Sequence, residues 1–403
     1  MQTRHAHPIV FLFLIIPFGM ISGYLSVTLA YVLSQAGVST GLIAGVIAAG
    51  YIPHSWKFLW APIADTTLSR KTWYLLAAAV SMAGVFAMGA VPATEASLPL
   101  LTAVVLVSNL AVTFLAMSVE SFMAHGTHDG EKGRAGGWFQ AGNLGGQGVG
   151  GGAGLWMTQY LADAWMVGAV LAAAGLACCL ALRFVLEPQA VHRGGGLVRN
   201  VANVLTDLWA VVRSRFGFLA LLVCFLPIGT GAASNLWSAV AGDWHASANT
   251  VALVNGVLGG IVSAVGCIAG GYLCDRMDRK TAYCAYGVLQ ALCAVAMALA
   301  PRTEFSYIVF TMVYWFITGL TYAAFSAVVL EAIGHGAVAT KYNLFASLSN
   351  MPIGYMTFVD GQAHDKWGAA GMLYTEAAVA MAGLAVFITV ATIRPRRRVK
   401  AIL

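Results

Sequence analysis

Charged residues are scarce in this chain. They make up only 9% of its 403 residues, while hydrophobic residues make up 59%, and soluble domains carry roughly 25% charged residues. This shortage excludes a globular protein with a water-facing surface. Apolar runs of about 20 residues, the length that crosses a bilayer, follow one another along the chain. The composition therefore predicts a multi-pass membrane protein.

The sequence also lacks the spacings of metal, redox and nucleotide sites. Its seven cysteines lie within or at the ends of apolar runs and form no Cys-x-x-Cys pair, the usual spacing of a zinc or redox site. Gly146-x-Gly148-x-x-Gly151 matches a dinucleotide fingerprint, but no strand precedes it. We expect neither a cofactor nor a metal. The first apolar run has no cleavage site behind it and is expected to remain as a span.

Lysine and arginine are distributed unevenly. Of the 22, an alternating topology places 19 on one side of the membrane, Arg302 and Lys366 on the other, and Lys57 within a span. This is the positive-inside pattern. It predicts an even number of spans with both termini in the cytoplasm.

Hydropathy predicts twelve spans, joined on the outside by very short loops. The single long polar stretch, 187–215, includes an amphipathic run that is expected to lie on the membrane surface. We therefore predict an N-terminal six-helix bundle at 1–186, a cytoplasmic linker with an amphipathic helix at 187–215, and a C-terminal six-helix bundle with a basic tail at 216–403. The predicted spans are 8–33, 40–60, 72–92, 98–122, 136–160, 163–184, 216–240, 249–273, 281–300, 305–332, 338–360 and 369–393.

The two halves repeat one another. At an offset of 210 residues, Asp65 is matched by Asp275 and Arg70 by Lys280. Further pairs are Pro17 and Pro227, Gln140 and Asn350, and, after a one-residue slip, Glu120 and Glu331. Such internal repeats are typical of transporters. The predicted fold is an all-α membrane protein with twelve transmembrane helices in two pseudo-symmetric six-helix bundles.

We single out three ionisable residues that lie within or at the ends of the apolar spans and near no obvious surface loop: Lys57, Glu120 and Glu331. A charge at the bilayer centre costs about 2.5–3.5 kcal/mol, so each needs a partner or a purpose. Lys57 and Glu120 both lie toward the cytoplasmic ends of their spans and are expected to meet. Their pair is either a proton-linked switch or a static ion pair. Glu331 lies four residues before His335, and the two could share a proton or His335 could simply be solvated.

The fifth span carries two distinct faces. Gly142, Gly146, Gly150 and Gly154 recur every four residues, which lets a neighbouring helix approach closely. A polar stripe beside them is expected to face a water-filled interior. By polarity and depth we predict seven substrate contacts, about half of which should instead be interhelical bonds. These contacts are Tyr24, Gln140, Asn143, Gln147, Asn235, Tyr322 and Asn350.

The charged loops after the second and eighth spans resemble conserved loops of the major facilitator superfamily. Asp65 with Arg70-Lys71 resembles the loop between that family's second and third spans, and the segment from Asp275 to Lys280 resembles its repeat. The resemblance implies the twelve-helix fold, a central cavity opened alternately to each side, and a latch that holds the outward-open state. The residues at the latch positions are Asp65, Arg70, Lys71, Asp275, Arg276, Arg279 and Lys280.

Two longer motifs narrow the resemblance. WKFLWAPIAD at 56–65 and ATKYNLFASLSNMP at 339–352 are similar to the AmpG-type muropeptide permeases and the related acetyl-coenzyme A transporters. That group implies proton-driven import of a bulky polar solute, such as an anhydromuropeptide, across the bacterial inner membrane. A siderophore or an acyl-coenzyme A type solute is the alternative.

Two other classes of function are open to a membrane bundle. A non-transporting sensor would need an effector domain or a long tail, and the sequence has none. A membrane-bound acyltransferase would need a His and an Asp in one cavity, but His125-Gly-Thr-His128-Asp129 has the wrong spacing and lies in a charged loop. We therefore predict a monomeric transporter and not an enzyme. Its expected partners are a small-molecule substrate, protons and the lipid bilayer, with no nucleic acid.

Overall fold

The computed structural model describes residues 6–127, 131–187, 215–333 and 344–393, together with 206, 209 and 213. Within these residues every regular element is a helix. The helices are α1 Val10–Gln35, α2 Thr40–Thr66, α3 Arg70–Ala90, α4 Leu98–Gly126, α5 132–157, α6 Ala164–Phe184, α7 Arg215–Phe225, α8 Ala248–Cys274, α9 Arg279–Leu299 and α10 Glu304–Ile333, and the run Asn350–Ile393, which Gly368 divides into α11 (350–367) and α12 (369–393).

These helices account for the twelve predicted spans. Eight runs in the described residues are long and apolar enough to cross a membrane, and the last of them contains both α11 and α12. The other three segments, α2, α5 and α7, fall outside that set. The predicted linker at 187–215 and the first part of the predicted span 338–360 lie outside the described residues, apart from a few positions.

The seventh span was predicted as one helix over 216–240, and this prediction is wrong. The helix ends at Phe225, and short 3₁₀ turns follow at Ala232–Asn235 and Ala241–Trp244. Pro227 disfavours helical geometry at the residue before it and has no N–H to donate. Gly229 and Gly231 have φ of 60° and 70°, a left-handed conformation that glycine adopts readily. The chain from 226 to 247 is therefore an irregular segment inside the bundle.

Helix starts reveal how the two halves correspond. Ser69 caps α3 by accepting the Thr72 N–H at 3.1 Å, and Asp278 caps α9 by accepting the Thr281 N–H at 3.0 Å. Both helices have 21 residues, and α2 and α8 have 27 each. The cap positions match Arg70 to Arg279 and Lys71 to Lys280, so the predicted match of Arg70 to Lys280 was wrong by one residue. The turn before α9 is one residue longer than the turn before α3.

Helix packing repeats between an N-terminal half, α1–α6, and a C-terminal half, α7–α12. In the first half α4 packs on α2 and α3, and α3 packs on α6; in the second half α10 packs on α8 and α9, and α9 packs on the α11–α12 run. Equivalent helices thus make equivalent contacts. The predicted arrangement of two pseudo-symmetric bundles is confirmed.

The glycine face of α5 packs against α1, as predicted. A Cβ at Gly142, Gly146 or Gly150 would lie 2.1–2.3 Å from a backbone carbonyl oxygen of α1. Lipid provides no hydrophobic drive for helix association, so such close backbone contact is the main source of attraction. These glycines bring α5 against α1 and thereby fix the orientation of its polar face.

The two halves meet at one end of the bundle. We call the end with the turns before Arg70-Lys71 and Arg279-Lys280 the basic end, and the opposite end the far end. At the far end the Ser34 hydroxyl donates to the Ala239 carbonyl at 2.5 Å, and Gln159 donates to Asn249 at 3.1 Å. The Asp365 carboxylate of α11 packs so closely on Gly41 of α2 that a Cβ at Gly41 would lie 2.4 Å from Asp365 Oδ2. The far end is thus closed by contacts between the halves.

The cap of α9 gives a pH-dependent prediction. The Thr281 backbone N–H, helped by the Thr281 hydroxyl, lowers the pKa of Asp278 below its usual range. Asp278→Ala should destabilise the protein by about 1 kcal/mol, whereas Asp278→Ser should keep a cap like that of Ser69. Because the folded-state pKa is lowered, the carboxylate stabilises the protein above its unfolded pKa, and this contribution is lost as pH falls through the folded value.

Thermal unfolding of the purified variants in detergent, at neutral pH and in acid, measures both effects. The difference between wild type and Asp278→Ala should shrink in acid. Equal melting temperatures at neutral pH for wild type and Asp278→Ala would contradict the assigned cap.

Candidate functional site

The structure brings Lys57 and Glu120 together, as the sequence predicted. Lys57 Nζ on α2 lies 3.8 Å from Glu120 Oε1 on α4, and the side chains are 21% and 34% exposed. The same two helices also join through a 3.0 Å contact between His54 and Asn109. The ion pair is therefore part of a polar seam within the N-terminal half, and it is accessible enough for a proton or solute to reach it.

The polar stripe of α5 faces the interior. Gln147 donates to Asn143 Oδ1 at 3.3 Å, both side chains are half-buried, and Gln140 is exposed. With about 100° between successive residues, this stripe lies between the face that packs on α1 and the face that packs on α8. The packed faces consist of Gly142, Gly146 and Gly150 toward α1, and Leu144, Gly148 and Gly152 toward α8. The exposed residues Gly145 and Val149 lie on the opposite face, so the stripe is turned away from lipid.

Asn235 forms hydrogen bonds between the halves and is not exposed to a solute. Its amide donates to Thr357 Oγ1 on α11 at 2.9 Å, and its Oδ1 accepts the Tyr51 hydroxyl of α2 at 3.0 Å. The residue is buried. It therefore forms a bond between the halves, which must break if the halves separate there.

The other three predicted contacts differ in their access. Tyr322 is 46% exposed and lines a small pocket with Gly229, Thr321 and Ser349. Asn350 donates to the backbone carbonyls of Ala346 and Ser347, just before α11, at 3.0 and 3.1 Å. Tyr24 is buried beside Gly89 of α3. Tyr322 is therefore the most accessible of the three, whereas Tyr24 packs inside the N-terminal half.

The predicted latch residues lie at the basic end. The Arg70 and Lys71 backbone N–H groups donate to the Glu187 carboxylate at 2.5 and 3.0 Å, which places an anion at the start of α3, where the helix dipole favours it. Asp275 and Arg276 are exposed just after α8, and Arg279 and Lys280 begin α9. Asp65 and Glu331 lie in helices, but their side chains are outside the described set, as is His335.

A family model decides the family. The model of the Major Facilitator Superfamily matches residues 9–355.

The chain belongs to the major facilitator superfamily. It is accordingly a multi-pass membrane transporter that acts on a small molecule, and not an enzyme. The eight long apolar runs and the twelve helices in two equivalent halves agree with this assignment. Among curated proteins, none gives a significant match to this major facilitator.

Solved structures share the major facilitator fold along the whole chain. The nucleoside transporter NupG has a TM-score of 0.74 at 13% identity, with 98% of this chain and 100% of that chain covered. A D-xylose-proton symporter has a TM-score of 0.72 at 12% identity, with 96% and 98% covered. The inward-open xylose transporter XylE from E. coli has a TM-score of 0.66 at 13% identity, with 98% and 97% covered. Identities this low show a common fold only.

Sequence reasoning overlooked two acids of this major facilitator, Asp360 and Glu376. Both are buried in the C-terminal half, on α11 and α12. The signal that could have found them is the one that identified Glu120, namely an ionisable residue within an apolar span. Glu376 lies eight residues into the predicted twelfth span, and Asp360 is the last residue of the eleventh.

Proposed function

We propose that this major facilitator is a proton-coupled secondary transporter that imports a bulky polar solute, such as an anhydromuropeptide, across the bacterial inner membrane. Both termini would be cytoplasmic, as the positive-inside pattern indicates. The rocking units would be 1–186 and 216–403, joined by the linker 187–215. The observation that carries the proposal is the half-exposed Lys57–Glu120 pair inside the membrane.

The contacts between the halves support alternating access. They lie at the far end, through Ser34, Gln159 and Gly41, while the basic loops lie at the other end. If the basic end is cytoplasmic, the structure corresponds to a state closed to the outside. Import would then require the far end to open and the basic end to close, with the Arg70-Lys71 and Arg279-Lys280 loops as the latch.

The ion pair supplies a route for proton coupling. Opposite charges on Lys57 and Glu120 hold α2 and α4 together at this point. Protonation of Glu120 would remove the attraction across α2 and α4, and the helices would be free to rearrange. Glu331, near the basic end of α10, is proposed as the equivalent acid of the C-terminal half.

The accessible polar residues make up the proposed substrate site. Gln140, Asn143 and Gln147 face the interior on one side, and Tyr322 is exposed on the other. Neutral amides and a hydroxyl suit a polar solute with many hydrogen-bonding groups. Asn235 would act by releasing Tyr51 as the halves part, and Asn350 and Tyr24 would serve packing.

Uptake into proteoliposomes tests the proposal. An imposed proton gradient should drive accumulation of labelled anhydromuropeptide, and collapse of the gradient by an uncoupler should stop it. If a ferric siderophore or an acyl-coenzyme A accumulates instead, the proposed substrate is wrong, but the proposed proton-coupled mechanism still holds. Uptake that ignores the proton gradient for every solute would reject proton coupling.

The amides of α5 give a kinetic prediction. Asn143→Ala and Gln147→Ala should each raise the apparent KM for the transported solute by roughly 5- to 150-fold, because a lost hydrogen bond to a polar group costs about 1–3 kcal/mol. Gly145→Ala on the lipid-facing side of the same helix, where nothing lies within 4 Å of the added methyl, is the matched control. Unchanged uptake kinetics in both amide variants would remove the stripe from the site.

A further inference from the structure

Two acids are enclosed in the C-terminal half, and no cation among the described residues pairs with them. Asp360 on α11 is 0% exposed and Glu376 on α12 is 4% exposed. Both lie beside the segment around Asn235: the Ala233 N–H reaches Glu376, and Asp360 lies one turn after Thr357, which accepts the Asn235 amide. Among the described residues, neither forms an ion pair with a lysine, arginine or histidine. The pair thus differs from Lys57–Glu120, where the opposite charge is supplied.

The oxygens of this pair have few donors. The Tyr314 hydroxyl of α10 donates to Glu376 Oε1, and the Ala233 backbone N–H also reaches Glu376. Glu376 Oε2 and both oxygens of Asp360 have no hydrogen-bond partner, and neither does the buried Gln290 Oε1. An unpartnered ionised carboxylate in an apolar core is very costly, and two of them together are more so. The arrangement lacks a positively charged donor.

We propose that Asp360 and Glu376 form a proton-binding site in which the two carboxyl groups share a single proton. A proton placed between them removes one charge and supplies the missing donor to an otherwise unpartnered oxygen, as in other dyads of buried carboxyl groups. The other titratable groups that face them are Tyr314 from α10 and Cys293 from α9. His364, one turn after Asp360, contacts Asp243 at 2.7 Å instead.

The site is connected to the contact between the halves. Glu376 contacts Ala233, two residues before Asn235, and Asn235 bonds Tyr51 of the N-terminal half. Thr357, the other partner of Asn235, lies one turn before Asp360. Loss of the shared proton would leave two repelling charges beside this segment, which should loosen the Asn235 bridge. This extends the proposed function, on which it rests for its role in transport, by placing a second proton in the C-terminal half.

Infrared spectroscopy of the purified full-length protein in lipid nanodiscs tests the site without any solute or gradient. A buried protonated carboxyl gives a carbonyl stretch distinct from that of a carboxylate. Wild type at neutral pH should show this band, and titration to high pH should remove it. Asp360→Asn and Glu376→Gln should each change the frequency and the titration of the band, because one acid then holds the proton alone, and the double variant should lack the band. Tyr314→Phe keeps both acids but removes a hydrogen bond, so its band should shift in frequency.

Controls separate the possible outcomes. Glu95→Gln, which removes an exposed carboxyl near the start of α4, should leave the band unchanged. A band that is identical in wild type, Asp360→Asn and Glu376→Gln would overturn the proposal, as would one that depends on sodium at constant pH. If an amide variant does not fold, Tyr314→Phe is the deciding variant. A carbonyl band in Tyr314→Phe with the wild-type frequency and the wild-type titration would also reject the site. Since no transport is measured, failure of proton-driven uptake would not affect this result.

Discussion

Glu120→Gln should abolish proton-driven uptake while leaving exchange of solute across the membrane intact. Glutamine has nearly the shape of glutamate but cannot take up or release a proton. The variant should therefore lose proton coupling but still alternate between the inward-open and outward-open states. Lys57 would remain in the membrane without its partner at 3.8 Å, which also disfavours the paired state. Uptake under a proton gradient and counterflow exchange, in the same proteoliposomes, measure the two activities.

The control for this prediction is Glu95→Gln, in the same half but exposed outside the pair; it should retain both activities. Lys57→Met should also impair uptake, because the ion pair that the proposed switch breaks and remakes would be absent. Proton-driven uptake at the wild-type rate in Glu120→Gln would assign the pair to structure alone and would leave Glu331 as the acid to test.

Gly256→Ala should shift the protein strongly away from the state in which the far end is closed. The added methyl would lie 2.3 Å from the Gly152 Cα of α5. This Cα is part of the helix backbone and cannot move aside as a side chain can. Overpacking costs about 1–3 kcal/mol, which corresponds to roughly a 5- to 150-fold change in a conformational equilibrium. The affected contact joins α5 to α8, one helix from each half, so its strain is relieved when the halves separate.

Distances between spin labels at Ala36 and Gly242, in a variant without the native cysteines, measure this shift. Both positions are exposed at the far end. Gly271→Ala, on the same helix with nothing within 4 Å of the new methyl, should keep the wild-type distance. If Gly256→Ala keeps the short label distance, the contact between α5 and α8 does not limit opening of the far end.

Much of the fold followed from local features of the sequence. Apolar runs of bilayer length predicted the helices, the distribution of basic residues predicted their even number, and the repeat predicted the two halves. The Lys57–Glu120 pair could also be predicted, since charges in apolar spans are few and have few possible partners. The break in the seventh span was missed although Pro227, Gly229 and Gly231 are visible, because hydropathy measures apolarity and not backbone conformation.

The candidate site was predicted less completely. Polarity and depth selected Asn143, Gln147 and Asn235 equally, but only packing distinguishes the first two, which face the interior, from Asn235, which bonds Tyr51 and Thr357. Asp360 and Glu376 were overlooked as single residues. Their importance comes from their proximity and from the absence of a cation near them in the described residues.

By itself, the sequence determined that this protein lies in a membrane, the number and order of its helices and the duplication of its halves. Each of these depends on properties of contiguous residues. Only the tertiary structure decided which polar groups are already bonded, which end of the bundle is closed and which acids lie together. Those features arise from contacts between different helices and segments, such as Ser34 with Ala239, 205 positions apart. Their geometry depends on how closely the glycine faces let the helices approach.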